Sequence, residues 1–194
     1  MKDNPPLFNT RAAWITALLV IFILGFAIRF YDLADLPLDF HPTRQLRSAL
    51  IARGMYYQTL KDAPADQRAF AIQQWKFLAS LEPEFFERVV AFTYQFTGEK
   101  VWIARIYSSL FWLVGALFLF LLARELTSMD GALAASAFYL FSPYAVIASR
   151  SFQPDPLMVM LIIIFWWAVY KWSTITFGGR VAPRAFAGLA GLIT

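Results

Sequence analysis

The 194-residue chain is too apolar for an ordinary water-soluble domain, since residues of the AVILMFWYC set make up 59% of it and charged residues only 15%. It contains no cysteine, which excludes disulfides, thiolate metal sites and thiol chemistry. The net charge of +4 is spread among separated lysines and arginines, whereas a nucleic-acid-binding protein would cluster them, so no nucleic-acid partner is expected.

Uncharged runs predict the membrane spans in chain order. Spans are predicted at about 12–30, 104–124, 131–149 and 156–172, with charged or aromatic residues near their ends. The second and third of these should form a helical hairpin. A further apolar run at 185–194 predicts the start of a fifth span. We therefore expect a single membrane domain over 1–194 that is the amino-terminal portion of a longer protein.

Lysines and arginines in the short connections predict the orientation of the chain. They precede the first span, lie in the link between the second and third, and follow the fourth, and cytoplasmic loops carry such an excess. This distribution predicts an integral membrane protein with a cytoplasmic amino terminus. The membrane is expected to be a bacterial plasma membrane. The long loop 32–103 and the link 150–155 would then both lie outside.

The long loop 32–103 is unlike a linker. It holds nine of the thirteen acidic residues, yet it also contains two stretches of helical apolar spacing, at 46–55 and 85–93. Such stretches predict amphipathic helices along the membrane surface, joined through a polar turn around Pro64 and Asp66. The expected fold class is all-α: a polytopic transmembrane protein with juxtamembrane helices in its first outer loop.

The residues best suited to chemistry follow the first span. Asp39, His41 and Arg44 lie within six residues of one another in an otherwise apolar protein. A carboxylate beside the membrane can act as a general base, and a guanidinium presents a planar fork suited to phosphate oxygens. The alternative is that these are ordinary interfacial charges that orient the first helix. His41 could also bind a divalent metal with a carboxylate, but a single histidine does not define a metal site, so no cofactor is assigned.

Three further residues lie on the same predicted side of the membrane. Asp155 begins the fourth span, Arg105 the second, and Arg150 follows the third. Asp155 could simply cap its helix, and an arginine at a helix end commonly extends to the interface. Together, however, these side chains could surround an anionic headgroup.

Several of these segments resemble one family. The run DFHPTRQ at 39–45, the pair EP at 82–83, WIARIYS at 102–108 and DPLM at 155–158 occur in an order similar to that in glycosyltransferases of the GT-C fold that use lipid-linked sugars. The protein-mannosyltransferase and aminoarabinose-transferase branch is the most similar. The resemblance covers nearly the whole chain, and the order and topology of its short motifs carry it.

The resemblance implies an activity. It implies transfer of a sugar from a polyprenyl-phosphate donor to an acceptor on the outer face, with inversion, and it implies membrane lipid as the surroundings. Asp39 would act as the base, with His41 beside it, while Arg44, Arg105, Arg150 and Asp155 would contact the substrate and its phosphate. The sugar and the acceptor are not specified.

Two other classes of protein remain open at this point. The chain could be a non-catalytic subunit of a larger membrane complex that keeps GT-C-like helices. A transporter would place polar residues or broken helices near mid-membrane, whereas the middle parts of the predicted spans are interrupted only by Gly, Ser and Pro143.

Overall fold

A computed structural model describes residues 7–8, 10–79 and 81–177 of the chain. All regular elements within these ranges are helices, so the predicted all-α class is confirmed. Three of the helices, Arg11–Phe30, Trp102–Leu126 and Asp155–Thr176, are long and apolar enough to cross a membrane. The protein is therefore a polytopic membrane protein. The expected start of a fifth span at 185–194 lies outside the described residues.

The helices are labelled in chain order. They are α1 (Arg11–Ala27, continued by a 3₁₀ turn at Ile28–Phe30), α2 (Pro42–Thr59), α3 (Ala65–Phe77), α4 (Phe85–Thr97), α5 (Trp102–Leu126), α6 (Met129–Phe141), α7 (Pro143–Ala148) and α8 (Asp155–Phe177). At a rise of about 1.5 Å per residue, the 25 residues of α5 exceed the roughly 30 Å thickness of a bilayer core.

The segment predicted as a span at 131–149 is not one continuous helix. Helix α6 has 13 residues and ends at Phe141, and the next residue, Ser142, has an extended backbone with φ −60° and ψ 137°. The physical reason is Pro143, because a proline disfavours helical backbone at the residue before it. At the start of α6, the Ser128 side chain accepts a hydrogen bond from the Gly131 amide at 3.1 Å and caps the helix. Whether this segment crosses the membrane stays a prediction.

The chain forms two compact units. The first comprises the described parts of Met1–Ala27, Trp112–Ser142 and Met158–Thr194, and the second, here called the loop unit, comprises Ile28–Phe111 and Pro143–Leu157. The core of the first unit includes Phe120, Ala132 and Leu133, and Trp14 stacks on Phe120 with ring centroids 6.5 Å apart. The expectation of a single membrane domain stays a prediction.

The loop unit has a core of its own. Residues of α2, α4 and the start of α5 form this core together with Phe152. The Phe152 ring meets that of Phe86 edge-on, with ring centroids 5.2 Å apart. Helix α3 packs on α2 at Gly54, where a Cβ atom would lie 2.4 Å from the Trp75 Cβ, so only glycine fits. The apolar patterns at 46–55 and 85–93 correspond to α2 and α4. Helix α3 was not predicted as a separate element; Ala71 is its buried residue, and Trp75 packs against the core while only partly buried.

Helix α4 is apolar on two faces. Its buried face includes Phe86, Val90, Ala91 and Tyr94. The opposite face exposes a stripe of large side chains at helical spacing, namely Phe85, Val89, Phe92 and Phe96. This arrangement is typical of a helix that lies on a lipid surface.

One carboxyl group is buried within the loop unit. Glu87 of α4 is 3% exposed, and its Oε1 accepts a hydrogen bond of 2.8 Å from the Ser48 hydroxyl of α2. Burial raises the pKa of Glu87 above its ordinary value, and hydrogen bonds to its backbone and to Ser48 only partly offset this effect. Ionised Glu87 is therefore less favourable in the folded protein than in the unfolded chain.

This raised pKa makes the stability of the protein depend on pH. An acid whose folded pKa is raised contributes stability that is present below about pH 4.5, its ordinary pKa, and is lost as the pH rises through the folded value. We expect Glu87→Gln, which has the shape of the neutral acid, to raise the melting temperature at pH 7 by a few degrees and to flatten its decline above pH 4.5. Thermal unfolding in lipid nanodiscs measures both effects. Glu99→Gln, which removes the partner of Arg53, is the control, and equal pH slopes for wild type and Glu87→Gln would contradict the expectation.

Candidate functional site

The loop unit contains a cleft of about 720 Å³. Its lining comprises Tyr31, Asp32, Asp35, Leu36, Leu38, Asp39, Arg105, Ile147 and Arg150. The acidic residues come from the segment that directly follows the first span. The two arginines come from the first turn of α5 and from the link after α7. The cleft thus combines carboxylates on one chain segment with guanidiniums from two others.

Arg105 holds the segment 32–39 in place. Its side chain is 1% exposed, and Nη1 donates to the carbonyl oxygens of Asp32 at 3.0 Å and Leu33 at 3.3 Å. Nη2 donates to the carbonyl oxygen of Leu36 at 3.2 Å and to Oδ1 of Asp39 at 3.4 Å. A rigid guanidinium fork suits several acceptors at once. Arg105 therefore determines the course of the backbone that carries the cleft's carboxylates.

Arg150, in the link after α7, also contacts the segment 32–39. Its Nη2 donates to the Asp32 carbonyl oxygen at 3.1 Å, so that carbonyl accepts from two arginines. Asp32 has a φ of 48°, in the left-handed region that aspartate tolerates better than most residues. Unlike Arg105, Arg150 is partly exposed. It therefore presents positive charge to the cleft.

Asp39 lines the cleft and accepts hydrogen bonds from two other side chains. Its Oδ1 accepts from Arg105 and also from Nε2 of Gln45 at 3.2 Å. Its side chain is nevertheless 40% exposed, although Arg105 beside it is almost completely buried. One side of this carboxylate is therefore oriented by the protein, while the group remains accessible from the cleft.

Arg44 and Asp155 meet each other outside the lining of this cleft. Nη1 of Arg44 lies 3.2 Å from Oδ2 of Asp155, and Nη2 lies 2.8 Å from Oε1 of Glu82. The guanidinium is thus shared between two carboxylates, all of them partly exposed. In the sequence, Glu82 was identified only as part of the motif at 82–83 and not as a site residue. In the structure it forms an ion pair with Arg44. Substrate binding by Arg44 and Asp155 stays a prediction.

His41 is also outside the lining of the cleft. It immediately precedes α2 with φ 45° and ψ 63°, and its ring lies edge-on to that of Phe40 with centroids 4.4 Å apart. The described residues contain no group of three or more His, Cys, Asp or Glu side chains arranged to hold a metal. The role that this geometry supports for His41 is to begin α2 in a left-handed conformation, which histidine and asparagine tolerate better than most residues.

Substitution with asparagine separates that backbone role from imidazole chemistry. We expect His41→Asn to keep at least half of the wild-type kcat and melting temperature within a degree or two, because asparagine also adopts left-handed backbone. We expect His41→Val to lower the melting temperature, since a β-branched residue is strained there. Transfer assays and thermal unfolding measure the pair. A large loss of kcat in a fully stable His41→Asn protein would instead show that the imidazole takes part in catalysis.

Sequence reasoning missed Gln45 as a site residue. Gln45 is completely buried and contacts Asp39. A signal existed, because Gln45 falls at helical spacing on the same face of α2 as Ser48, Ile51, Ala52 and Met55. A polar side chain on an otherwise apolar buried face needs hydrogen-bonding partners.

Comparison with known proteins identifies the family of this chain. The family model described as dolichyl-phosphate-mannose-protein mannosyltransferase matches residues 82–190, which is more than half of the chain. The matched segment includes Arg105, Arg150 and Asp155, whereas Asp39 precedes it. No curated protein and no solved structure matches the chain. The match confirms the resemblance for the motifs at 82–83, 102–108 and 155–158, whereas the motif at 39–45 precedes the matched residues. Because the match covers more than half of the sequence, the chain belongs to the dolichyl-phosphate-mannose-protein mannosyltransferase family of GT-C membrane glycosyltransferases.

Proposed function

We propose that this protein transfers a sugar from a polyprenyl-phosphate donor to a nucleophilic acceptor group, with inversion, at the cleft of the loop unit. The observation that carries the proposal is the exposed Asp39 carboxylate, held by a buried arginine in a cleft that a second, more exposed arginine also lines. The family supports the coarser part, a membrane glycosyltransferase with a lipid-linked sugar donor.

In the proposed reaction, Asp39 acts as the general base. The Asp39 carboxylate takes the proton of an acceptor hydroxyl as its oxygen attacks the anomeric carbon of the donor. The bond between that carbon and the phosphate oxygen breaks, and polyprenyl phosphate leaves with the electron pair. Attack from the face opposite the leaving group inverts the anomeric carbon. The proton on Asp39 then passes to solvent.

The two arginines contribute in different ways. Four hydrogen bonds already occupy the Nη atoms of Arg105, so its role is to orient Asp39 and the 32–39 segment. Nη2 of Arg150 donates to the Asp32 carbonyl oxygen, and the side chain is partly exposed in the cleft. We assign Arg150 to the donor phosphate, where a guanidinium stabilises the charge that develops on the leaving group.

The proposed reaction takes place on the outer face of a bacterial plasma membrane. The distribution of lysine and arginine in the short connections supports this orientation. Asp62→Cys in the exposed turn between α2 and α3 introduces a thiol into a stretch of 194 residues that has none, and the protein without this substitution is the labelling control. A membrane-impermeant maleimide should label that thiol in intact cells. Labelling only after the cells are opened would show that this turn faces the cytoplasm, opposite to the proposed orientation.

A comparison of donors tests the activity. Membranes from cells that carry or lack the full-length protein are incubated with a sugar labelled with ¹⁴C, supplied either as polyprenyl phosphate or as nucleotide derivatives. We expect protein-dependent transfer from the polyprenyl-phosphate donor alone, and ¹H NMR of the isolated product should show the inverted anomer.

Two variants connect the assay to the cleft. Arg150→Gln should raise the KM for the polyprenyl-phosphate donor about 10-fold or more, as expected for the loss of a charge-assisted contact to phosphate. Arg53→Gln, which removes an arginine elsewhere in the loop unit, should leave this KM unchanged. A different result would support the role of a non-catalytic subunit. In that case membranes with and without the protein would transfer sugar equally, and the protein would purify as a stoichiometric component of a larger complex.

A further inference from the structure

Gln45 connects two separate parts of the loop unit. Its side chain lies in α2 with no exposed surface. Its Nε2 donates to Oδ1 of Asp39 at 3.2 Å and also to the carbonyl oxygen of Phe40. Its Oε1 accepts from the backbone amide of Phe152 at 3.0 Å. A single buried amide therefore joins the segment that carries Asp39 to the link that carries Arg150.

These partners determine the orientation of the amide. Both neighbours of Nε2 are oxygen atoms that can only accept, and the neighbour of Oε1 is an N–H that can only donate. A flipped amide would place its oxygen against a carboxylate and a carbonyl, and its NH₂ against another N–H. Gln45 consequently donates to Asp39 in an arrangement that the rest of the unit enforces.

The link on the other side is held rigidly as well. The Ser108 hydroxyl of α5 donates to the Ser151 carbonyl oxygen at 2.6 Å, and Phe152 is buried against Phe86. The contact of Gln45 with the Phe152 amide therefore ends on a fixed point two residues from Arg150. Loss of the Gln45 side chain would remove a direct connection between Asp39 and this fixed link.

We propose that Gln45 is a positioning residue, which orients the Asp39 carboxylate and holds it at a set distance from the link that carries Arg150. This inference rests on the proposed function, in which Asp39 is the base. With Oδ1 engaged by Gln45 and Arg105, the carboxylate faces the acceptor in one orientation. A misplacement of about 1 Å at a reacting group can reduce the rate about 10²-fold.

Two variants of Gln45 test the proposal in the full-length protein in nanodiscs. Gln45→Glu keeps an acceptor for the Phe152 amide but replaces the donor to Asp39 by an oxygen. Gln45→Met fills a similar volume without hydrogen bonds or a new charge. We expect both to lower kcat by about 10- to 100-fold, while the donor KM changes less than about 2-fold. Ser48→Ala, on the same buried face of α2 but bonded to Glu87, should change the melting temperature without changing kcat.

The same substitutions in an Asp39→Asn background separate positioning from a general structural role. If Gln45 acts through Asp39, Gln45→Glu and Gln45→Met should not lower the residual rate of Asp39→Asn any further. An equal loss in both backgrounds would overturn the inference, as would full kcat in either single variant while Asp39→Asn is inactive. Full activity of Asp39→Asn itself would refute the proposed base, and with it this inference. Melting temperatures identify any variant that has not folded, and Gln45→Met then decides, because it adds no buried charge.

Discussion

Replacement of Asp39 with asparagine is expected to reduce the kcat of sugar transfer by about 10²- to 10⁴-fold, the usual contribution of a general base. Asparagine has the shape of aspartate, and its carbonyl oxygen can still accept the hydrogen bonds from Gln45 and Arg105. The local structure should therefore survive while the proton acceptor is lost. Steady-state transfer from the polyprenyl-phosphate donor measures kcat, and its KM should change little, because Asp39 is not assigned to donor binding.

The same substitution at the two other carboxylates of the cleft is the matched comparison. Asp32 and Asp35 also line it, but Asp39 is the cleft carboxylate whose oxygen accepts from both Gln45 and Arg105. We expect Asp32→Asn and Asp35→Asn to reduce kcat by less than about 10-fold, an effect on the electrostatics of the cleft rather than on proton transfer. Unchanged kcat in Asp39→Asn, with inactivity in one of the other two, would move the role of the base to that residue.

Replacement of Arg105 with glutamine is expected to reduce both stability and activity. Its guanidinium donates to backbone carbonyls of the 32–39 segment as well as to Asp39, and the side chain is 1% exposed. Loss of a buried charge with these partners should lower the free energy of unfolding by about 3 kcal/mol. Hydrogen exchange should accelerate over residues 32–39, and kcat should fall because the carboxylate of Asp39 is no longer oriented.

Lysine at the same position tests whether charge alone is sufficient. Arg105→Lys keeps the positive charge but lacks the planar fork, so we expect it to recover only part of the stability and little of the protection of residues 32–39 from hydrogen exchange. Arg53→Gln is the control, since Arg53 and Glu99 form a partly exposed ion pair of 3.4 Å, whose loss should cost less than about 1 kcal/mol. Unaltered exchange over residues 32–39 in Arg105→Gln would mean that this segment does not depend on the guanidinium.

The fold class was predictable because its signals are local. Long uncharged runs produce the helices Arg11–Phe30, Trp102–Leu126 and Asp155–Thr176, and apolar spacing at 46–55 and 85–93 marks α2 and α4. The local signal is weaker at α3, because Ala71 is its buried residue and Trp75 is only partly buried where it packs against the core. The division of the segment 131–149 was also missed, although Pro143 marks it in the sequence, because an apolar run alone does not reveal the backbone angles at Ser142.

The candidate site was predictable only as a set of residue types. The sequence placed Asp39, Arg105 and Arg150 on one predicted side of the membrane, and the structure places all three in the lining of one cleft. It could not show that Arg44 contacts Asp155 and Glu82 instead, because these ion pairs join residues 111 and 38 positions apart. The sequence contains many similar charged residues, and tertiary packing decides which of them come close enough to form an ion pair.

By itself, the sequence determined that this is an all-α membrane protein whose first long loop concentrates charge next to a span, since hydrophobicity and charge are properties of each residue. Only the tertiary structure decided which charges meet. In the structure, Arg105 donates hydrogen bonds to the backbone of residues 32–39, and Arg150 lines the cleft. Gln45 lies between Asp39 and the Phe152 amide and is hydrogen-bonded to both. The physical reason is that a buried polar group must find partners wherever the fold supplies them.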